Sequence, residues 1–244
     1  MPIALNCDLG EISATWNSGR DQLILPYLKY ANISCGAHAG DESLILKTLK
    51  TTRDSNVIIG AHPGYPDKAN FGRKSMLMTS AEFTFSISSQ IKFLMEMAKA
   101  EHTEVTYIKP HGALYNDMIK NVALARQFAE LVLSISPNLS IMGMPYGALK
   151  EACLQLSIAY ISEAFIDRRY TSEGTLASRN QPNGVIDNIP DAISQLKSMI
   201  ENGTVQSIDH QKVTIKADTY CIHGDSPMAL DLIYAINEQG YLIN

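Results

Sequence analysis

The chain has 244 residues, of which 45% are hydrophobic and 18% are charged, and its formal net charge is −5. This length and composition predict one soluble globular α/β domain over residues 1–244, and a negative charge without any basic run argues against nucleic-acid binding. No apolar run is long enough to span a membrane, and we expect no secretory leader because the first residues lack a charged and hydrophobic signal segment.

Seven short apolar runs that end in polar or glycine-rich residues predict seven β-strands. They begin, in chain order, at Ile3, Ala31, Val57, Val105, Leu139, Ile158 and Asp218. Runs of this length that are rich in Ile and Val are typical of strands buried in a parallel sheet. A short extra hairpin is predicted within 205–216, with its turn at Asp209 and His210.

Helical patterns separate the predicted strands. Their approximate ranges are 42–53, 80–99, 122–134, 146–156, 191–201 and 227–239. Asp41 is the predicted N-cap of the first helix, and the sequence T-S-A-E from Thr79 predicts a capping box at the start of the second. The last helix is bracketed by Ser226 as N-cap, Pro227 at the first helical position and Gly240 just beyond the end.

The regular alternation of strands and helices predicts βα units and a parallel sheet. Seven such units could form an open doubly wound sheet or a closed barrel. An open sheet gathers its ligand groups at one switch point, whereas a barrel collects them from many strands over one mouth. Polar residues follow at least six of the predicted strands. The sequence therefore favours a distorted TIM-like (βα)7 barrel, incomplete in having seven strands.

Four of the six histidines follow the apolar part of a predicted strand, and acidic residues or a lysine share their side of the chain. Because side chains on a strand alternate between its two faces, counting in twos aligns these residues with the barrel mouth. The predicted catalytic residues are Asp8, His38, His62, Lys109, His111, Glu163, His223 and Asp225. A single histidine at a strand end is more often structural, but four on different strands indicate a functional site.

The stretch I-K-P-H-G-A-L-Y-N, residues 108–116, is predicted as a strand end that opens into a loop and not into a helix. It presents Lys109 and His111 to one pocket, and Gly112 then permits a sharp turn. An ionised Lys109 would stabilise negative charge on a reacting oxygen, and a neutral His111 would take a proton from water or bind a metal. Asp8 would orient His111 or share its metal.

Basic residues lie in loops near the predicted strand ends, which in an acidic protein indicates an anionic substrate such as a carboxylate or phosphate. The predicted anion-binding residues are Arg73, Lys74, Arg168 and Arg179. Arg73 or Arg168 is favoured for a bidentate contact to a carboxylate. The alternative is that the basic residues only pair with acidic neighbours, namely Asp67, Glu163 and Asp167.

Several common motifs are absent from the sequence. There is no Gly-rich phosphate-binding loop and no GxSxG elbow, so the sequence locates no nucleotide site and does not favour a serine hydrolase. The four cysteines show no CxxC spacing and predict free thiols in a reducing cytoplasm. Cys7 and Cys35 fall on the helix-facing side of their strands, and Cys221 is interpreted as a packing residue.

Seven ordered motifs carry a resemblance to a known family. They are L-N-C-D-L-G-E, C-G-A-H-A-G-D, G-A-H-P-G-Y-P-D, F-G-R-K, K-P-H-G-A-L-Y-N, E-A-F-I-D-R-R-Y and C-I-H-G-D. Together they resemble the LamB/YcsF family nearly end to end, from Leu5 to beyond Asp225. The departures are small: Ala37 stands where the family usually has Phe, Asn70 where Gly is common, and Lys74 where Arg is frequent.

The resemblance implies a (βα)7 barrel of the glycoside hydrolase/deacetylase type. It also implies ATP-dependent opening of the lactam 5-oxo-L-proline to L-glutamate, with ATP as co-substrate, Mg²⁺ as its companion, and 5-oxoprolinase subunits B and C as partners. A lactam is a stable amide, so phosphorylation of its carbonyl oxygen followed by attack of water would make it reactive. Such a site needs a base, donors to an oxyanion, and cations for carboxylate and phosphate.

The order of Asp8, His62 and His111 along strands one, three and four also resembles the metal site of barrel-type carbohydrate deacetylases. One Asp and two His are a reasonable set for a divalent metal with an open position for water. Two alternatives stay open: a metal-dependent deacetylase or amidohydrolase that acts without ATP, and a non-catalytic subunit that holds a carboxylated metabolite. The sequence also leaves open where ATP binds and whether the chain forms a homo-oligomer.

Overall fold

The structure, a computed structural model, describes residues 2–242, which form a parallel barrel surrounded by helices. The barrel strands are β1 (Leu5–Leu9), β2 (Tyr30–Ser34), β3 (Ile58–His62), β4 (Val105–Ile108), β5 (Ser140–Gly143), β6 (Tyr160–Phe165) and β9 (Thr219–Ile222). β9 pairs in parallel with both β6 and β1 and so closes the barrel. The seven predicted strands are confirmed, and the barrel with one strand fewer than eight is nevertheless closed. A domain of residues 1–244 extends beyond the described part and stays a prediction.

A two-stranded hairpin precedes β9. It consists of β7 (Thr204–Gln206) and β8 (Lys212–Thr214), which pair antiparallel. The Ser207 N–H donates to the Gln211 carbonyl, and His210 takes the left-handed conformation with φ 58° between them. The predicted hairpin and its turn are therefore confirmed.

Helices fill the connections between the strands. They are α1 (Ser13–Asn17), α2 (Arg20–Ile24), α3 (Glu42–Asp54), α4 (Ser80–Ala100), α5 (Gly112–Lys120), α6 (Val122–Ile135), α7 (Ala148–Gln155), α8 (Ile189–Asn202) and α9 (Ala229–Glu238). The Asp41 side chain accepts from the Leu44 N–H, and Thr79 and Glu82 form the predicted capping box. None of the helices within residues 2–242 has the length and apolarity needed to cross a membrane.

Three helices differ from the sequence prediction. α5 begins at Gly112 directly after the strand end, where the sequence predicts a loop, because the positive φ of Gly112 (57°) turns the chain into a helix at once. α1 and α2 have five residues each, too few to show a helical period in the sequence. α9 begins at Ala229 and not at Pro227, because the Ala229 N–H closes a tight turn onto the Ser226 carbonyl.

A buried polar network lies inside the barrel beneath its mouth. The Tyr107 hydroxyl donates to Asn32 Oδ1 at 2.7 Å, and Asn32 Nδ2 donates to Asn6 Oδ1 at 2.9 Å and to Asp8 Oδ1 at 2.8 Å. Asn6 Nδ2 in turn donates to Thr219 Oγ1 at 3.1 Å. Both buried amides of this network have partners, so the network fixes the position of Asp8 above it.

Candidate active site

A cavity of about 530 Å³ opens at the C-terminal end of the barrel strands. Nine of the predicted site residues line it, namely Asp8, His62, Arg73, Lys109, His111, Arg168, Arg179, His223 and Asp225. His38 and Glu163 are buried behind this lining, within contact of residues that do face the cavity. Lys74 is exposed and does not belong to the lining, because neighbouring side chains of an extended segment point in opposite directions.

Lys109 is buried and surrounded by acceptors. Its Nζ lies 2.8 Å from Asp8 Oδ1, 2.7 Å from Glu163 Oε2 and 3.3 Å from both Asn6 Oδ1 and Cys221 Sγ. Burial alone would lower the pKa of Lys109, but Asp8 and Glu163 raise it well above its ordinary value. The ammonium therefore stays charged, and its three N–H groups are occupied in holding the two carboxylates.

Glu163 meets Lys109 as an ion pair and not as an aligned hydrogen bond. Its side chain is fully buried, and neither carboxylate oxygen has a directed hydrogen-bond partner within residues 2–242. The Tyr115 hydroxyl, which the charge of Glu163 influences, is equally buried and also has no partner there. Glu163 is thus held mainly by the charge of Lys109.

Asp8 presents one oxygen to the barrel interior and the other to the cavity. Oδ1 accepts from Lys109 Nζ and from Asn32 Nδ2, whereas Oδ2 lies 3.4 Å from His62 Nε2. Burial alone would raise the pKa of Asp8, but His62 and Lys109 hold it well below its usual range. Asp8 is therefore an ionised acceptor whose orientation is fixed by the groups beneath it.

The hydrogen bonds of His62 and His111 define which ring nitrogens carry protons. His62 Nδ1 lies 2.7 Å from the Lys109 carbonyl oxygen, and His111 Nε2 lies 2.9 Å from the Phe71 carbonyl oxygen. A carbonyl only accepts, so both of these nitrogens donate. In the neutral rings the remaining atoms, His62 Nε2 and His111 Nδ1, then carry lone pairs. These two atoms face each other at 3.0 Å.

Glu11 completes this group, although the sequence analysis does not include it among the site residues. Its Oε1 lies 3.3 Å from His111 Nδ1 and 3.8 Å from His62 Nε2. Burial opposes ionisation, but hydrogen bonds from His111 and His38 hold the pKa of Glu11 well below its usual range. Glu11 was missed because it follows the end of β1, where the two-residue alternation no longer applies. The only signal is its place at the end of L-N-C-D-L-G-E.

His38 supports Glu11 and His111 from behind. Its Nε2–H donates to Glu11 Oε1 at 3.0 Å, and its ring stacks on that of His111 with centroids 3.8 Å apart. Burial lowers the pKa of His38 to about 4, so the ring is neutral. A Cβ at Gly72 would lie 2.9 Å from the His38 Cβ and 3.0 Å from His111 Cδ2, so only glycine lets this loop approach the stacked rings.

Four acceptor atoms therefore converge on one side of the cavity: Asp8 Oδ2, Glu11 Oε1, His62 Nε2 and His111 Nδ1. We call this group the acceptor cluster. The ligand atoms of Asp8, His62 and His111 all lie within 4.8 Å of one another, and so do those of Glu11, His38 and His111. Two ionised carboxylates and two facing lone pairs repel one another unless a cation lies among them. A shared proton or a divalent metal ion satisfies this requirement.

His223 occupies the opposite side of the cavity. Its Nδ1 lies 2.9 Å and 3.0 Å from the two carboxylate oxygens of Asp167, and its backbone N–H donates to Asp167 Oδ2 at 3.0 Å. The ring stacks on Phe165 with centroids 5.5 Å apart. Burial alone would raise the pKa of Asp167, but His223 lowers it, so the carboxylate is ionised. Nε2 of His223 has no protein partner within residues 2–242.

Two of the three cavity arginines already have partners. Arg168 is buried and donates to the carbonyls of Ala177 and Gly184, and burial lowers its pKa to about 10. Arg73 lies over the Phe71 ring and forms an ion pair with Asp225 at 2.7 Å. Arg168 thus holds the loop that follows β6. Neither residue pairs with the acidic neighbours considered in the sequence analysis.

Arg179 lies on that loop and lines the cavity without an ion pair or side-chain hydrogen bond within residues 2–242. Its charge lowers the pKa of Asp167 and contributes to the lowered pKa of Arg168. The three guanidinium groups therefore lie in one another's fields. Of the three, Arg179 is the one with all its donors available to an anionic ligand.

Comparison with known proteins gives full-length matches. A profile described as the LamB/YcsF family matches residues 3–240, which include every residue of the cavity lining. A protein of Pseudomonas syringae pv. tomato, named as the third A subunit of a 5-oxoprolinase, is 42% identical over 231 residues, covering 94% of this chain and 90% of that protein. The 5-oxoprolinase A subunit of Pyrococcus abyssi is 39% identical over 232 residues, covering 95% and 91%.

The same fold occurs in a solved structure. The crystal structure of a lactam utilization protein from Thermus thermophilus superposes with a TM-score of 0.89 at 32% identity, covering 100% of this chain and 99% of that chain. The predicted fold class, a single (βα)7 barrel, is therefore confirmed.

Proposed function

This chain belongs to the LamB/YcsF family, and from that premise we propose that it is the A component of a 5-oxoprolinase. The reaction opens the lactam of 5-oxo-L-proline to L-glutamate, coupled to hydrolysis of ATP to ADP and phosphate. The observation that supports this most directly is the composition of the cavity, where the acceptor cluster faces a guanidinium with free donors. Such a cavity suits a small amide that carries one carboxylate.

The residues divide the work of hydrolysis between the two sides of the cavity. Arg179, supported by Arg73 and Arg168, binds the carboxylate of the substrate and orients the ring. The acceptor cluster takes the proton from the attacking water. Asp8 can accept without rotating, because Lys109 and Asn32 fix its other oxygen. Phosphorylation of the lactam carbonyl oxygen by ATP makes the carbon electrophilic enough for water to attack.

The relatives are named as A subunits, so we propose that this chain acts with partner chains, 5-oxoprolinase subunits B and C. ATP enters with Mg²⁺, and the sequence contains no phosphate-binding loop of its own. The four cysteines are buried free thiols, which fits the reducing cytoplasm where we place the complex.

We expect the isolated chain to show little 5-oxoproline-dependent ATP hydrolysis and to gain it when subunits B and C are added. The measurement is release of phosphate and of L-glutamate, in the presence and absence of ATP and of each partner chain. Full ATP-coupled turnover by the chain alone would contradict the partner requirement. Absence of L-glutamate formation by the complete mixture would contradict the proposed function.

The acceptor cluster also favours a second candidate, a metal-dependent amidohydrolase or deacetylase that acts without ATP. Both candidates share the proposal that Asp8, His62 and His111 hold one divalent cation, with Glu11 beside them. A set of two imidazole nitrogens and carboxylate oxygens suits Zn²⁺ and similar ions. When bound, such an ion lowers the pKa of water and polarises a carbonyl oxygen. Hydrolysis of an amide or acetylated sugar in the absence of ATP would favour the second candidate, and ligand binding without turnover would favour a non-catalytic subunit.

The cation proposal predicts that the purified chain binds about one equivalent of a divalent metal such as Zn²⁺, and that His111→Asn loses most of it. The matched control is His210→Asn, because His210 is exposed, lies outside the cavity, and has a left-handed conformation that Asn tolerates. Metal content after dialysis and isothermal titration measure the effect. Equal metal binding by His111→Asn and the wild type would exclude this site, and no binding by the wild type would leave a shared proton as the cation.

A further inference from the structure

The pair formed by His223 and Asp167 has the geometry of a supported proton donor or acceptor. Asp167 accepts from both the ring Nδ1 and the backbone N–H of His223, so the orientation of the imidazole and the position of its Nδ1 proton are fixed. Phe165 covers one face of the ring. Nε2 is left as the atom that can exchange a proton with a molecule in the cavity.

Opening a lactam requires two proton transfers at different atoms. One group takes a proton from the attacking water, and another gives a proton to the ring nitrogen, which is otherwise a poor leaving group. The acceptor cluster consists of ionised carboxylates and imidazole lone pairs, so it suits the first transfer. His223 is the one imidazole of the described cavity lining that does not belong to the cluster, and it lies on the opposite side.

We propose that His223 donates a proton to the lactam nitrogen and that Asp167 is its positioning residue, an inference that rests on the proposed function. Water adds to the lactam carbon and loses a proton to the acceptor cluster. The C–N bond breaks, its electron pair stays on nitrogen, and nitrogen takes the proton from His223 Nε2. The neutral imidazole then regains a proton from solvent through the open mouth of the cavity, and the cluster releases the proton that it took from water.

The charges around His223 suit this role. Asp167 and Arg179 approach from the loop after β6, Asp8 from β1, and Asp225 from the loop that carries His223 itself. Asp167 is in direct contact and favours the imidazolium, whereas Arg179 disfavours it. The imidazolium is therefore paired with a carboxylate while its Nε2–H stays available to the substrate.

We expect Asp167→Asn to shift the basic limb of the kcat–pH profile of the complete complex to lower pH. The carboxylate favours the protonated ring, so its removal makes His223 lose its proton at lower pH, and an acid catalyst then fails earlier as the pH rises. KM should change by less than the kcat. Asp191→Asn is the matched control, because Asp191 pairs with Arg169 on the surface outside the cavity.

Each result of this experiment decides the proposal. A shift of the acidic limb would make His223 the base for water and overturn the donor role, and an unshifted profile would make the pair structural. If Asp167→Asn does not fold, His223→Ala serves instead: we expect a kcat loss of at least ~100-fold that added imidazole partly restores, and a folded variant without rescue would contradict the proposal. A wild-type complex that fails to open 5-oxoproline would contradict the proposed function itself, independently of any variant.

Discussion

Asp8→Asn is expected to lower the kcat of the reconstituted complex at least ~100-fold, the low end for loss of a catalytic group. The substitution keeps the shape of the side chain and removes its charge. Oδ2 of Asp8 is an acceptor that faces His62 Nε2 at 3.4 Å, and an amide at this position either places N–H groups among acceptors or loses affinity for a cation. Lys109 retains Glu163 as an ionised partner, so the fold should survive.

The measurement is L-glutamate formation with subunits B and C and saturating ATP, with circular dichroism and thermal melting as checks of folding. Asp54→Asn is the matched control, since Asp54 is an exposed residue that pairs with Arg53 at the end of α3. Turnover near the wild-type rate in a well-folded Asp8→Asn complex would remove Asp8 from the mechanism.

The sequence predicts the barrel and most of the cavity lining because both follow from local patterns. Apolar runs locate the strands, and the alternation of side chains brings Asp8, His62 and Lys109 to the same mouth. Parallel strands all end on one side of a barrel, so polar residues that follow them must meet there. This argument needs no knowledge of which strands are neighbours.

What the sequence does not predict depends on contacts between distant segments. Glu11 lies beyond its strand, and its position is set by hydrogen bonds from His38 and His111. The pairing of Asp167 with His223 requires β6 and β9 to be neighbours, although a helix and a hairpin separate them in the chain. Which lone pairs face each other depends in turn on carbonyl positions that only the folded backbone provides.

The arginines show the same limit. Residue type alone favours Arg73 or Arg168 for a carboxylate, because any guanidinium has the required fork. In the structure Arg168 donates to backbone carbonyls, and Arg73 is paired with Asp225. Availability of donors, and not residue type, therefore distinguishes Arg179 from the others. We propose it as the main contact of the substrate carboxylate.

Lys109→Met is expected to reduce the free energy of unfolding by about 3–5 kcal/mol, the range for breaking a buried ion pair by removing one partner. From the sequence alone, loss of Lys109 would affect catalysis and leave the fold intact. The structure predicts otherwise, because Lys109 is the cation between Asp8 and Glu163, and both carboxylates are buried. Lys120→Met is the matched control: Lys120 pairs with Glu173 on the surface, where such pairs contribute about 0–1 kcal/mol.

The loss should depend on pH and on Glu163. Without the ammonium, the two carboxylates disfavour each other's charge, so their folded-state pKa values rise and the variant gains stability relative to the wild type as the pH falls. Glu163→Gln added to Lys109→Met removes one of the stranded charges, so the double variant should be more stable than Lys109→Met alone, with a coupling energy that urea denaturation of the four proteins measures. A single variant within about 1 kcal/mol of the wild type at neutral pH, the loss expected of an exposed pair, would show that water reaches and solvates Asp8 and Glu163. The ammonium would then be free to act on the substrate, as the sequence alone suggests.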